Sequence, residues 1–388
     1  MPDRTSSLID PVLGHLVASV DRHRVGGRLL GALATVADPR KPRGVRHQIE
    51  VILALAVCAV LAGARSYTAI GEWAAGASDQ LLAALGIEGA VPCEATIRRV
   101  LQTLDGGELD AVVGSWAAAC TEPATTGRRL VAVDGKRLRG SGSHTTDPRH
   151  LLAAIDQVHG VVLAQREIGN KTNEIPEFAP LLDTVELAGA VVTADAMHAQ
   201  KAHADYLVLQ REAHFLFTVK SNQPGLHAQL KALPWDDVPV AHTTTGRAHG
   251  RIEHRSIKVV TVSTGIEFPH ARQAIQVTRK TRRPGNKTST TEIAYAVTDL
   301  TAEQATPAEL AAWIRGHWSI ENQLHWVRDV TCDEDRSQTR TATGPRVMAS
   351  LRNLAISMLR LHGATNIAQA LRHHAWNPLR TAKLLLTC

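Results

Sequence analysis

The chain has 388 residues, 44% of them hydrophobic, with 43 lysines and arginines against 37 aspartates and glutamates and a net charge of +6. That length supports two or three domains around a sizeable core, and the mild positive balance favours a polyanionic partner without singling out nucleic acid. Its 19 histidines add charge only below neutral pH. The five cysteines (Cys58, Cys93, Cys120, Cys332, Cys388) form no C-x-x-C pair, so neither a zinc ribbon nor a disulfide framework is suggested, and they fit thiols in a reducing cytosol. Residues 1–4 lack the basic-then-apolar order of a secretory signal. The longest apolar run, 51–62, falls short of the about 20 residues that cross a bilayer. A soluble cytoplasmic protein with no membrane partner is expected.

Residues 1–122 are rich in alanine and leucine and read as an all-helical domain. Helices are expected over 48–62, buried nearly all round, and over 67–75 and 80–85. Val91-Pro92-Cys93 then reads as a turn into a short helix exposing Arg98 and Arg99. That pattern resembles the second helix of a helix-turn-helix, with an ordinary surface helix as the plainer alternative. Residues 123–129 compose a linker.

From Leu130 the periodicity becomes that of strands. Runs 130–133 and 190–194 are short, apolar and β-branched, and end in Asp134 and Asp195. Between them, 151–156 and 160–165 alternate around His159-Gly160, a hairpin signal, and 176–187 reads as a helix. Then come a helix over 201–212 and a strand over 215–220. Three meandering strands followed by alternating helix and strand fit a mixed sheet with helices on its faces, the arrangement of a ribonuclease-H-like core over 123–223. Residues 224–305 read as a β-rich insertion without further helix. Its strands are expected over 255–262, 274–278 and 292–297, with a basic loop at 279–287. Helix resumes where Thr306 caps, Pro307 takes the first position and Glu309 completes a capping box. Residues 306–388 form the helical second part of the core and its C-terminal helices, with 313–330, 346–361 and 367–373 helical.

A carboxylate at the carboxyl end of such a strand points into the crevice where open α/β sheets bind ligands. Asp134, Asp195 and Glu321, the last on the 313–330 helix, can hold two Mg²⁺ ions between them, the equipment of in-line phosphoryl transfer. Glu321 competes with nearby Asp329, Asp333, Glu334 and Asp335. At α-helical spacing His317, Glu321, His325 and Arg328 share one stripe, a carboxylate among cations suited to a metal and a phosphate, and Asp329 lies about 80° away. Trp318 and Trp326 are expected to pack rather than stack on bases. Lys136 and Lys220 follow strands on the crevice side and are candidates for phosphate contact, a solvated lysine being the alternative. His249, Arg251, His254 and Arg255 could track a DNA backbone or form a solvated strand face. Arg279, Lys280, Arg282 and Arg283 of the basic loop are stronger DNA candidates. The absence of H-E-x-x-H speaks against a zinc hydrolase.

Several motifs in order carry a resemblance. They are Asp134-Gly135-Lys136, Thr193-Ala194-Asp195-Ala196-Met197-His198, Thr218-Val219-Lys220-Ser221-Asn222-Gln223, His249-Gly250-Arg251-Ile252-Glu253, His317-Trp318-Ser319-Ile320-Glu321-Asn322 with His325-Trp326, and Glu334-Asp335. With Asp38-Pro39-Arg40 and the stretch up to Trp73, they resemble the ISAs-type, or H-repeat-associated, DDE transposases of the IS-four-like superfamily. The resemblance runs from about Leu30 to the last helix. It implies a bacterial, nucleoid-associated insertion-sequence transposase with a ribonuclease-H-like core and a β-rich insertion between Asp195 and Glu321. Such an enzyme would bind terminal inverted repeats in double-stranded DNA, cut with Mg²⁺ (Mn²⁺ substituting) on Asp134, Asp195 and Glu321, and join the ends to target DNA as at least a dimer. The wider superfamily places tyrosine, arginine and lysine where this chain has Ile314, His317 and Arg328, so those roles do not transfer directly. Two other readings remain: a metal-dependent nuclease that cuts without joining, and a catalytically silent DNA-binding remnant.

Overall fold

A computed structural model describes residues 29–121, 127–169, 173–248, 250–283 and 288–388. The chain divides into two compact units, one of residues up to Trp116 with Val330–Cys388, the other Ala117–Asp329. The first 28 residues, most of the expected linker, His249 and Pro284 to Lys287 of the expected basic loop lie outside the described residues.

The first unit is helical. It comprises α1 (Leu29–Ala34), α2 (Ile49–Leu61), α3 (Tyr67–Ala75), α4 (Asp79–Ala84), α5 (Glu94–Thr103), most of α6 (Gly106–Cys120), and the C-terminal helices α11 (Gly344–Leu361), α12 (Ile367–Trp376) and α13 (Leu379–Thr387). Helix α2 has almost no polar residue and is buried nearly all round, with α11 and α13 packed against it. Ser66 caps α3 by accepting from the Ala69 N–H at 3.1 Å. Gly71 lets α3 cross α5, because a Cβ there would collide with Glu94. Within the unit Arg352 donates to Glu334 at 2.8 Å, both side chains 3% exposed.

The second unit is built on one nine-stranded sheet, in the order β3-β2-β1-β4-β5-β9-β8-β7-β6. The strands are β1 (Leu130–Leu138), β2 (Arg149–Asp156), β3 (Val161–Ile168), β4 (Val191–Ala194), β5 (His214–Val219), β6 (His242–Ala248), β7 (Arg251–Thr261), β8 (Gln273–Arg282) and β9 (Thr290–Thr298). Strands β1 to β3 form an antiparallel meander, and β4 and β5 join β1 in parallel. Helix α7 (Glu174–Leu182) packs on β2 and β3, and α8 (Lys201–Asp205) continues into a π turn, Tyr206–Gln210. Strand β9 pairs antiparallel with β5, so the strands of 224–305 extend the same sheet. Helix α10 (Pro307–Gly316) covers the face bearing Ile257 and Ile275, and its capping box at Thr306 and Glu309 is formed as the sequence foretells.

The structure departs from the sequence expectations at several places. Strand β1 does not stop at Asp134 but runs on to Leu138, because β2 pairs with it beyond the end of β4. Residues Pro224–Lys231 form a helix, α9, with Pro224 in the first turn; its single buried residue, Leu230, gave no periodic signal. The residues from Arg279 to Arg282 are not a loop but the end of β8, held extended between β7 and β9. Finally, the segment beyond α10 is not α-helical: Ile320–His325 and Val327–Thr331 are π-helical.

Candidate active site

Val131, Ala132 and Val133 are fully buried, which fixes β1 in the sheet centre. Val133 pairs with Ala194 across the parallel β1–β4 ladder, so Asp134 and Asp195 follow at the same level and face the same side. Asp195 stays extended and accepts from the Met197 N–H at 2.9 Å, capping the 3₁₀ turn Ala196–His198. Lys220 follows β5, next in the sheet.

The π-helical segment lies across this edge. Each i→i+5 turn takes more residues than the 3.6 of an α-turn. Residues four and eight apart therefore lag instead of leading, and the face turned to β1 runs through His317, Glu321, His325 and Asp329. His317 Nδ1 lies 3.2 Å from Thr193 Oγ1, and Gln157 donates to that oxygen at 2.6 Å. Burial holds the His317 imidazole below its usual pKa against the opposing pull of Asp134 and Asp195, and the charges of His198 and Lys220 act in the same direction as burial. His325 Nδ1 lies 3.4 Å from Asp134 Oδ2, and its buried Nε2 has no partner among the described residues. Lys136, 8% exposed, is ion-paired with Asp329. Asp134, Lys136, Arg139, Glu321, His325 and Asp329 all line one cleft of about 620 Å³.

Arg328 is the clear correction. Expected on the Glu321 stripe, it is fully buried and donates to Gln165 at 3.2 Å, because the π turns rotate it under the segment. Trp318 and Trp326, expected to pack, are 43% and 56% exposed. Arg98 and Arg99 are exposed on α5; Arg98 pairs with Glu94 at 3.3 Å and Arg99 donates to the Ala95 carbonyl. Arg251 pairs with Glu253 and Arg279 with Glu292, while Lys280, Arg282 and Arg283 are exposed.

Sequence reasoning missed a second layer. Glu174, at the start of α7, takes His150 Nε2 at 3.1 Å and His198 Nε2 at 3.2 Å. Burial alone would raise its pKa, but these two histidines hold the carboxyl at about 2. The same carboxyl lies against Gly135, where a Cβ would collide with it. Glycine beside Asp134 thus has a packing cause, and His198 in the Asp195 motif was the one visible sign of the network.

Among the described residues no three histidine, cysteine or acidic side chains are gathered to hold a metal as they stand. The donors around the cleft are nonetheless hard carboxylate oxygens, the class that Mg²⁺ and Mn²⁺ take. Among the described residues no helix is long and apolar enough to cross a membrane.

Residues 30–117 match the DDE_Tnp_1-associated family model, and residues 125–358 match the transposase DDE domain model. The "Putative transposase YncI" of Escherichia coli O157:H7 is 28% identical over 349 residues, spanning 86% of this chain and 87% of that protein. The "H repeat-associated putative transposase YhhI" of Escherichia coli K12 is 28% identical over 351 residues, 86% of this chain and 90% of that one. A solved piggyBac transposase synaptic complex with hairpin DNA aligns over 98% of this chain and 80% of that chain, with 12% identity and a TM-score of 0.41, too loose a likeness to inform the fold. With the domain model spanning well over half its length, the chain belongs to the DDE transposase family of insertion sequences, the proteins of DNA transposition and recombination.

Proposed function

We propose that this transposase binds the terminal inverted repeats of its element, cleaves DNA there and joins the 3′-hydroxyl ends to target DNA. The observation that carries it is the level placement of Asp134 and Asp195 on paired parallel strands, with Glu321 lining the same cleft as Asp134. The strand order β3-β2-β1-β4-β5, with β1, β4 and β5 parallel, supports a ribonuclease-H-like core. On this reading residues 1–122 form the end-binding domain, 123–223 the first part of the core, 224–305 the insertion, and 306–388 the second part of the core with the C-terminal helices, of which the residues from Val330 on cluster with the N-terminal helices rather than with the sheet.

Asp134, Asp195 and Glu321 would hold divalent metal, Mg²⁺ or Mn²⁺, which supplies an activated water or 3′-hydroxyl and stabilises the leaving oxygen. The protein's own groups do the rest. The His317 imidazole is fixed by Thr193, which Gln157 holds in turn, and its burial disfavours the cationic form. His325 orients Asp134. Lys136 and Lys220 flank the aspartates as cations for the phosphodiester, with Lys136 released from Asp329 when phosphate arrives. No covalent protein–DNA bond is required. Synapsis of two ends calls for at least a dimer.

The test is a gel assay of end cleavage and strand transfer on DNA carrying both flanking ends, in Mg²⁺. Wild type gives joined products. Glu321→Gln keeps end binding and loses cleavage by more than about 100-fold, beyond the range of groups that only support a ligand. Asp329→Asn loses less. Equal loss in Asp329→Asn, with Glu321→Gln unaffected, would move the third ligand to Asp329. Binding without cleavage in wild type would overturn the catalytic reading.

A further inference from the structure

A second cleft, of about 440 Å³, opens on the other flank of the segment that carries Glu321. Trp318, Ser319, Asn322 and Gln323 form one wall, and the end of α10 with strands β6 and β7 forms the other. It belongs to one face of the extended sheet. Near α10 that face is apolar, with Ile257 beside Val277 and Ile275 beside Val259. Beyond the helix end the same alternate positions become Arg255, Arg279 and Arg251, and Arg315 stands on the last turn of α10.

This arrangement is costly in isolation. Arg255 and Arg279 are direct cross-strand partners, and like charges opposite one another destabilise a sheet. Glu253 serves both Arg251 and Arg255, and Glu292 serves Arg279, so two carboxylates face four guanidiniums. Arg315 is exposed and has no acidic partner among the described residues. Burial lowers the proton affinity of Arg255, Glu253 opposes this, and Arg315, Arg279 and Arg251 add to the lowering, which places the four guanidiniums within one field. An anion between them relieves that repulsion.

We propose that this face is a DNA-backbone site, in which Arg255 and Arg315 bind phosphates flanking the scissile phosphodiester held at Glu321. It rests on the transposase reading and adds where the flanking DNA lies. Glu321 opens on the catalytic cleft and its neighbour Asn322 on the arginine cleft, so the two clefts adjoin along one helical segment. Phosphate spacing along a duplex suits a line of guanidiniums that bind two oxygens each.

The experiment is fluorescence anisotropy of the full chain with duplex DNA from a flanking end, over a series of KCl concentrations. Three variants accompany wild type: Arg255→Ala with Arg315→Ala, the surface change Arg315→Glu alone, and Lys231→Ala on α9 as a charge control. Thermal melts accompany each. The double variant lowers the slope of log Kd against log salt by about 2, one for each phosphate contact, and Lys231→Ala leaves it unchanged. Arg315→Glu, on an exposed helix turn, weakens binding by at least about tenfold at low salt with an unchanged melt. Slopes equal to wild type in both arginine variants would overturn the site. Wild type that binds duplex DNA without salt dependence would overturn the transposase reading as well, which separates the two failures.

Discussion

Glu174→Gln replaces the buried carboxylate between His150 and His198 by an amide of nearly the same shape. In the folded chain the carboxyl titrates at about 2, and in the unfolded chain at about 4.3. That difference of a little over two units corresponds to about 3 kcal/mol. Residual solvent contact around the pair reduces the expected net effect to about 2 kcal/mol. A depressed folded pKa stabilises above the unfolded value and loses that contribution as pH falls towards the folded one. Wild type should therefore exceed Glu174→Gln by its full margin near pH 5. The margin should be about half gone near pH 3 and almost absent near pH 2. In a unit of this size about 2 kcal/mol corresponds to roughly 4–8 °C in melting temperature. Urea titrations and thermal melts of both proteins at pH 7, 5, 4 and 3 give the curve. A margin that stays level down to pH 3, or widens as pH falls, would refute the account of Glu174 as an anion held by two histidines.

Other outcomes follow from the same geometry. Arg352→Ala leaves Glu334 charged in the helical unit, where both side chains are 3% exposed, and should cost about 3–5 kcal/mol by urea denaturation; a loss below about 1 kcal/mol would mean water reaches the pair. Thr306→Ala removes the capping box of α10 and should cost about 1 kcal/mol, with no change in the affinity for end DNA by anisotropy. Gly135→Ala drives a methyl into the Glu174 carboxyl. Its cleavage rate should fall at unchanged DNA affinity, and the double change Gly135→Ala with Glu174→Ala should recover part of the rate by removing the clash; no recovery would point to strain in β1 itself.

Where the sequence was legible, local chemistry decided the structure. Tyr67–Ala75 begins after a serine cap and matches its helix end to end, and the Thr306 box needs only three residues to declare itself. The apolar runs before Asp134 and Asp195 read as short buried strands, which they are, while their side-by-side placement shows only in the parallel ladder. What stayed hidden depends on partners distant in the chain. Asp134 seemed to end a strand because nothing near it shows that β2 continues the ladder to Leu138. Arg328 seemed to share a stripe with Glu321 because 3.6-residue spacing was assumed where the helix winds wider. Glu174 meets His150 and His198 across three separate elements, and no spacing rule links them. Arg279 seemed to belong to a loop because basic residues are rare in a strand interior, yet cross-strand neighbours hold it extended.

The pairing of β5 with β9 bears on how the protein is made. Leu216 lies opposite Thr298, so this junction closes a loop that contains α9, β6, β7 and β8. Such closure is slow compared with local pairing, since the loop must lose its freedom before any distant contact forms. Strands β1 to β5 can assemble early in synthesis, but β5 keeps an unpaired edge until β9 emerges. A chain halted between them would present that edge to other nascent chains, a hazard for aggregation. Glu321 comes later still. A truncated product ending before it would carry both aspartates and the basic sheet face, and so could occupy DNA without cutting it.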